Sequence, residues 1–160
     1  MSSGPGRWQG ILGELERRRA FNRQLGGVER VQRQRDSGKL DARQRAEALF
    51  DAGSFVELGA FAGGLSAASD TPAPADGLIA GFGLIEGRPA LAGVEDFTVL
   101  GGSIGDRGAD KRYRLTQLAA QERVPLVLML EGAGHRLTNE HAGRRPNDLQ
   151  GLAELSGLVP

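Results

Sequence analysis

The sequence predicts an α/β fold preceded by a helical segment, and three stretches carry that prediction. A glycine-rich hairpin occupies residues 77–96, reading GLIAGFGLI, the turn Glu86-Gly87, then RPALAGVED. Helical periodicity follows over about 106–123, with Leu115, Leu118 and Ala119 on one face. Next comes PLVLML, an apolar run of strand length at 125–130. Strand, helix and apolar strand in that order predict a right-handed βαβ unit in a parallel sheet.

The remaining elements follow along the chain. Trp8, Ile11, Leu12 and Leu15 recur at helical spacing and predict a helix from about residue 7 to 21. Gly26-Gly27 interrupts it, and the stretch VERVQRQRDSG forms a second helix ending at Gly38. Asp41, with Gln44 three residues on, makes a capping-box pattern that opens ARQRAEALF and stops near Gly53. SFVEL reads as a short strand. Residues 59–77 are small, proline-containing and aperiodic, and are expected to form a mobile surface loop. After PLVLML come the polar segment NEHAGRRPNDLQ and LAELSGLVP, whose last residues, Leu158-Val159-Pro160, read as the start of another buried strand. The expected organisation is a helical segment over 1–50 and the first part of an α/β domain over 51–160.

Composition narrows the classes. With 39% hydrophobic and 25% charged residues, the 160-residue chain suits a globular domain with a real core. It has no cysteine, hence no disulfide framework and no thiolate metal site. No apolar run approaches the roughly 20 residues needed to span a bilayer, and MSSGPGRWQG lacks the apolar core of a signal peptide. A cytoplasmic location away from membranes is expected. The net charge of zero hides an asymmetry: residues 1–45 hold 11 Lys/Arg against 5 Asp/Glu, and the remainder 9 against 15. The basic segment could meet nucleic acid, a phosphorylated ligand or an acidic partner. For nucleic acid it lacks interleaved aromatics beyond Trp8 and Phe21, so none is expected.

Two small-residue clusters are candidate sites. In EGAGHR, Gly132-Ala133-Gly134 supplies half of a dinucleotide fingerprint, but the third glycine position is Leu137. A nucleophile elbow would need serine where Ala133 stands. What remains is an ordinary turn, or main-chain amides at a strand end that stabilise an oxyanion. In EDFTVLGGSIG, residues Gly101, Gly102 and Ser103 precede a helix, where free N–H groups attract anions. His135 and His141, with Glu131 and Glu140, lack the spacing of a metal motif, and no metal is expected.

Taken together, GG-x-x-RV-x-x-Q at 26–34, GKLDARQRAEALFDAGSFVEL, Asp76-Gly77, EGRPA and EDFTVLGGS resemble, in order, the carboxyltransferase (β) subunits of biotin-dependent acyl-CoA carboxylases. The resemblance implies a crotonase-like fold built from ββα units. It implies transfer of CO₂ from carboxybiotin, borne on a separate carrier domain or subunit, to the α-carbon of an acyl-CoA of the acetyl or propionyl class. Main-chain amides then face the thioester enolate, and no side-chain nucleophile is needed. Family members carry a loop like DSGGARIQEG after this strand. Laid residue by residue, Gly134 and His135 supply the amides, Arg136 takes the arginine position, and His135 stands where the family has alanine. Arg30, Lys39 and Arg43 become candidates for the CoA phosphates, beside Gly101, Gly102, Ser103 and Arg136. The implied partners are acyl-CoA, a biotin carboxylase or biotin carrier subunit, and further copies of the full-length chain. Such subunits are much longer, so an incomplete crotonase-like domain, inactive alone, is expected. The alternative is a non-catalytic module that binds CoA or a partner.

Overall fold

The computed structural model describes residues 5–66, 69–136 and 147–157. Three helices come first: α1 (Pro5–Arg23), α2 (Val28–Asp36) and α3 (Ala42–Leu49). The predicted capping box opens α3. Asp41 accepts the Gln44 N–H at 3.0 Å, and Gln44 Oε1 accepts the Asp41 N–H at 3.0 Å. The apolar stripe of α1 does not enter the core. Trp8, Ile11 and Leu12 are 64%, 49% and 55% exposed.

Strand β1 (Val56–Leu58) pairs antiparallel with β4 (Leu78–Ile85), which forms the predicted hairpin with β5 (Arg88–Glu95). Glu86 and Gly87 both have positive φ, as a two-residue hairpin turn requires, and Asp51 accepts their N–H groups at 3.0 and 2.8 Å. From β5 the chain crosses through α4 (Asp106–Glu122) to β6 (Leu126–Met129), which pairs parallel with β5 from Leu91↔Leu126 to Val94↔Met129. The sheet order is β1-β4-β5-β6, so the expected βαβ unit is present.

The helical segment and the sheet share a core. Leu25, Ala42 and Ala46 pack with Ala75, Ile79 and Val94 on one side. Leu78, Ala80, Leu91, Leu115 and Ala119 pack on the other, beneath α4. Residues 59–77 depart from the expected loop. A short hairpin, β2 (Gly64–Ser66) and β3 (Ser69–Ala73), leads into a buried turn at Pro74–Gly77. Three successive residues there, Ala75, Asp76 and Gly77, have left-handed φ of 49°, 52° and 71°. Groups distant in sequence hold this turn. Asn22 Oδ1 accepts the Ala75 N–H at 3.2 Å, Lys111 Nζ donates to Ala75 O at 2.6 Å, and Asp76 accepts the Gly108 N–H at 2.7 Å.

Residues Asn147–Ser156 form α5 against α4, with Gly151 pressed so close to Thr116 that a Cβ would overlap its hydroxyl. Leu158-Val159-Pro160, Glu140 and His141 lie outside the described residues. Among the described residues no helix is long and apolar enough to cross a membrane.

Candidate functional site

The segment after β5 and the loop after β6 meet at the ends of these two strands. Asp96, the residue after β5, is a buried acid whose Oδ1 accepts both the Thr98 N–H at 3.0 Å and the Thr98 hydroxyl at 2.5 Å. Burial pushes the Asp96 carboxyl up, against the opposing pull of the two Thr98 bonds. This side-chain-closed turn buries residues 96 and 98 and leaves Phe97 between them half exposed. Thr98 Oγ1 in turn accepts the Gly26 N–H at 2.8 Å. A Cβ on Gly26 would lie 1.9 Å from Thr98 O, so the α1–α2 joint can rest there only as glycine. That contact sets α2 over the segment and opens a cleft of about 470 Å³ between them.

Arg30, Arg33 and Lys39 line the cleft on the helical side, and Phe97, Leu100 and Gly101 on the other. Among the described residues, neither Arg30 nor Arg33 has a carboxylate partner; Arg30 reaches only Thr98 O, at 3.5 Å. The single lining carboxylate is Glu131. It pairs with Lys39 at 2.9 Å and Arg45 at 3.1 Å and lies 3.5 Å from Gln34 Nε2. The cleft therefore presents unpaired guanidinium groups, an aromatic face and open glycine backbone, a set suited to an anionic ligand with an aromatic portion.

Glu131 also begins the loop of the second cluster. This loop runs beside 101–104: Ala133 N–H donates to Gly101 O at 3.1 Å, Ile104 N–H to Gly134 O at 2.8 Å, and Arg136 N–H to Ile104 O at 2.8 Å. Gly102 and Gly132 press together, and a Cβ on either would lie 2.2 or 2.4 Å from the opposing main chain. With the Glu131 N–H held by Glu95, these bonds occupy the amides of residues 131, 133 and 136. The N–H groups of Gly132 and Gly134 have no hydrogen-bond partner among the described residues. The Ile104↔His135 bridge turns the His135 main-chain groups away from Ile104.

Several expected site residues stand elsewhere. Gly101 lines the cleft, but Gly102 is consumed in the close contact with the loop. Ser103 serves as a holder: its hydroxyl donates to Leu100 O at 2.7 Å and accepts from Arg136 Nε at 3.2 Å. None of the three caps α4, whose N-cap is Gly105. Arg136 is bound to Asp76 at 2.7 Å and to Ser103 O at 2.9 Å, anchoring the loop rather than facing the cleft. Arg43 lies outside the cleft, paired with Glu57 at 2.9 Å and donating to Asn22 O at 3.3 Å. Arg33 and Phe97, absent from the expected set, also line the cleft. Arg33 is one helical turn from Arg30, which was the available signal.

The antiparallel hairpin followed by helix and parallel strand is the architecture of carboxyltransferases of the crotonase-like class. The transcarboxylase 12S structure with methylmalonyl-coenzyme A and methylmalonic acid bound aligns over 97% of this chain and 29% of its own, at 31% identity and a TM-score of 0.77. A single-chain, multi-domain long-chain acyl-CoA carboxylase aligns over 94% of this chain and 17% of its own, at 33% identity and a TM-score of 0.81. The propionyl-CoA carboxylase beta chain of Cereibacter sphaeroides is 37% identical over 153 residues, 93% of this chain. Residues 33–150 match the model of the carboxyl transferase domain, and the chain belongs to that family. It spans 28% of the length of the Cereibacter relative.

Proposed function

We propose that this chain contributes to carboxyl transfer from carboxybiotin to the α-carbon of an acyl-CoA of the acetyl or propionyl class. The observation that carries the reading is the joining of two features at Gly101 and Glu131. A cationic cleft and a loop with two open amides share these residues, so one ligand could place phosphates in the cleft and a thioester at the loop. In this reading Arg30, Arg33 and Lys39 hold the phosphates of CoA and Phe97 lies beside its base. Gly134 N–H, with Gly132 or His135, faces the thioester oxygen as enolate charge develops, one such donor being worth roughly 3–4 kcal/mol. The biotin group, carried on a separate carrier domain or subunit, supplies the CO₂. Residues 51–160 form the first part of the carboxyltransferase domain, and 1–50 the segment that brings its basic wall.

In this reading the 160 residues, which span 28% of the first relative's length, supply the CoA-binding part of a longer carboxyltransferase subunit. That subunit works as a homo-oligomer with a biotin carboxylase or carrier partner. A solved neighbour is described as a hexamer assembly, and the exposed stripe of α1 offers contact surface.

Calorimetric titration with CoA tests this reading. Arg30→Ala and Arg33→Ala should each weaken binding about tenfold, as expected for a lost charge-assisted bond, while Arg43→Ala should not. Equal CoA affinity in all variants, or no binding to the wild-type chain, would overturn the assignment.

A further inference from the structure

The loop's main-chain direction is set from below by a buried ion pair. Glu95 is the last residue of β5, 4% exposed, and its two carboxylate oxygens hold different elements. Oε1 pairs with Arg112 of α4, itself 9% exposed, and Oε2 accepts the N–H of Glu131 in a short contact. The same Oε2 lies 2.9 Å from where a Cβ on Gly132 would be. Arg45 donates to the Glu95 main-chain oxygen at 2.5 Å, adding a tie to α3.

This geometry settles the orientation of the first loop peptide. With its N–H turned down to Glu95, the loop lies along 101–104 so that Ala133 and Arg136 donate to residues 101 and 104. Gly132 and Gly134 are then left with open amides. A carboxylate is the side chain that fits, because both neighbours are donors. An amide in its place offers one oxygen for two donors and brings an N–H₂ against the other. We infer that Glu95, held by Arg112, is a positioning residue that aims the open amides of Gly132 and Gly134. The inference rests on reading this stretch as the donor loop. Neither Glu95 nor Arg112 lines the cleft.

Amide hydrogen exchange of the ligand-free 160-residue chain, resolved by residue with NMR, tests it. Glu95→Gln should speed exchange at Glu131 and Ala133 at least about tenfold, the loss expected for a bond to a charged acceptor, and leave β4 and β5 unchanged. The double variant Glu95→Gln/Arg112→Met removes the competing donor, so the Gln oxygen can turn to Glu131 N–H and protection should return. A purely structural pair would not show that rescue. Unchanged loop exchange in Glu95→Gln, acceleration spread evenly over the sheet, or no recovery in the double variant would each overturn the inference. The measurement needs neither CoA nor turnover, so its failure is separate from failure of the CoA titration.

Discussion

Lys111 shows how a single side chain can carry a cost that depends on pH. It reaches from α4 into the core and donates to the main-chain oxygens of Ala75 and Leu78, holding the left-handed turn. Burial lowers its pKa from 10.5 to about 8, with Glu57 and Asp76 favouring the charged form and Arg43 opposing it. Below pH 8 both folded and unfolded states are protonated, and the folded state bears the full cost of burying the charge. Between about 8 and 10.5 the unfolded chain holds the extra proton, so stability rises with pH across that window. Against Lys111→Met, urea unfolding should show the wild type gaining about 1–3 kcal/mol between pH 7.5 and 10. A flat difference between the two proteins would show that Lys111 titrates as an ordinary lysine.

Among elements, the contact between the two glycine loops makes a sharper prediction. Gly102 has a φ of 64°, and a Cβ there would meet Glu131 O at 2.2 Å. Gly87 has a similar φ of 76° with open space around it. Gly87→Ala should therefore cost only the backbone strain, about 1 kcal/mol, while Gly102→Ala should cost about 2–3 kcal/mol by also forcing the loops apart. Denaturant midpoints of the two variants check this, and equal losses would refute the packing account. The same scale shows what was legible in the sequence. The α3 cap and the β4–β5 hairpin rest on partners three or two residues apart, which a local pattern displays. The buried turn at 74–77 was not legible, because Asn22 and Lys111 hold it from 53 and 36 residues away. Of the four basic residues singled out by charge and motif position, Arg30 and Lys39 line the cleft, while Arg43 and Arg136 are engaged in ion pairs. Their partners Glu57 and Asp76 stand 14 and 60 residues off, and only the fold shows those charges already matched.

For the whole molecule, the zero net charge conceals a basic N-terminal segment laid over an acidic remainder. Part of that excess is neutralised across the join by Lys39–Glu131, Arg45–Glu131 and Arg43–Glu57. Arg30 and Arg33 are left facing the cleft. An anion held there should be sensitive to screening, so raising salt from about 50 mM to about 0.5 M should weaken CoA binding roughly tenfold, with Arg33→Ala losing part of that dependence. Salt-independent affinity would place the ligand against apolar surface instead.

The cleft is also a matter of order in time. Its walls are distant in the chain, with Gly26 resting on Thr98 and Lys39 pairing with Glu131 across 72 and 92 residues. Arg30 and Arg33 leave the ribosome long before Glu131 is made, and loop closure over such spans comes late. Until then the N-terminal segment carries its excess of basic over acidic residues without the partners Glu57 and Glu131. The cleft is complete only once Glu131 has folded back onto Lys39 and Thr98 onto Gly26.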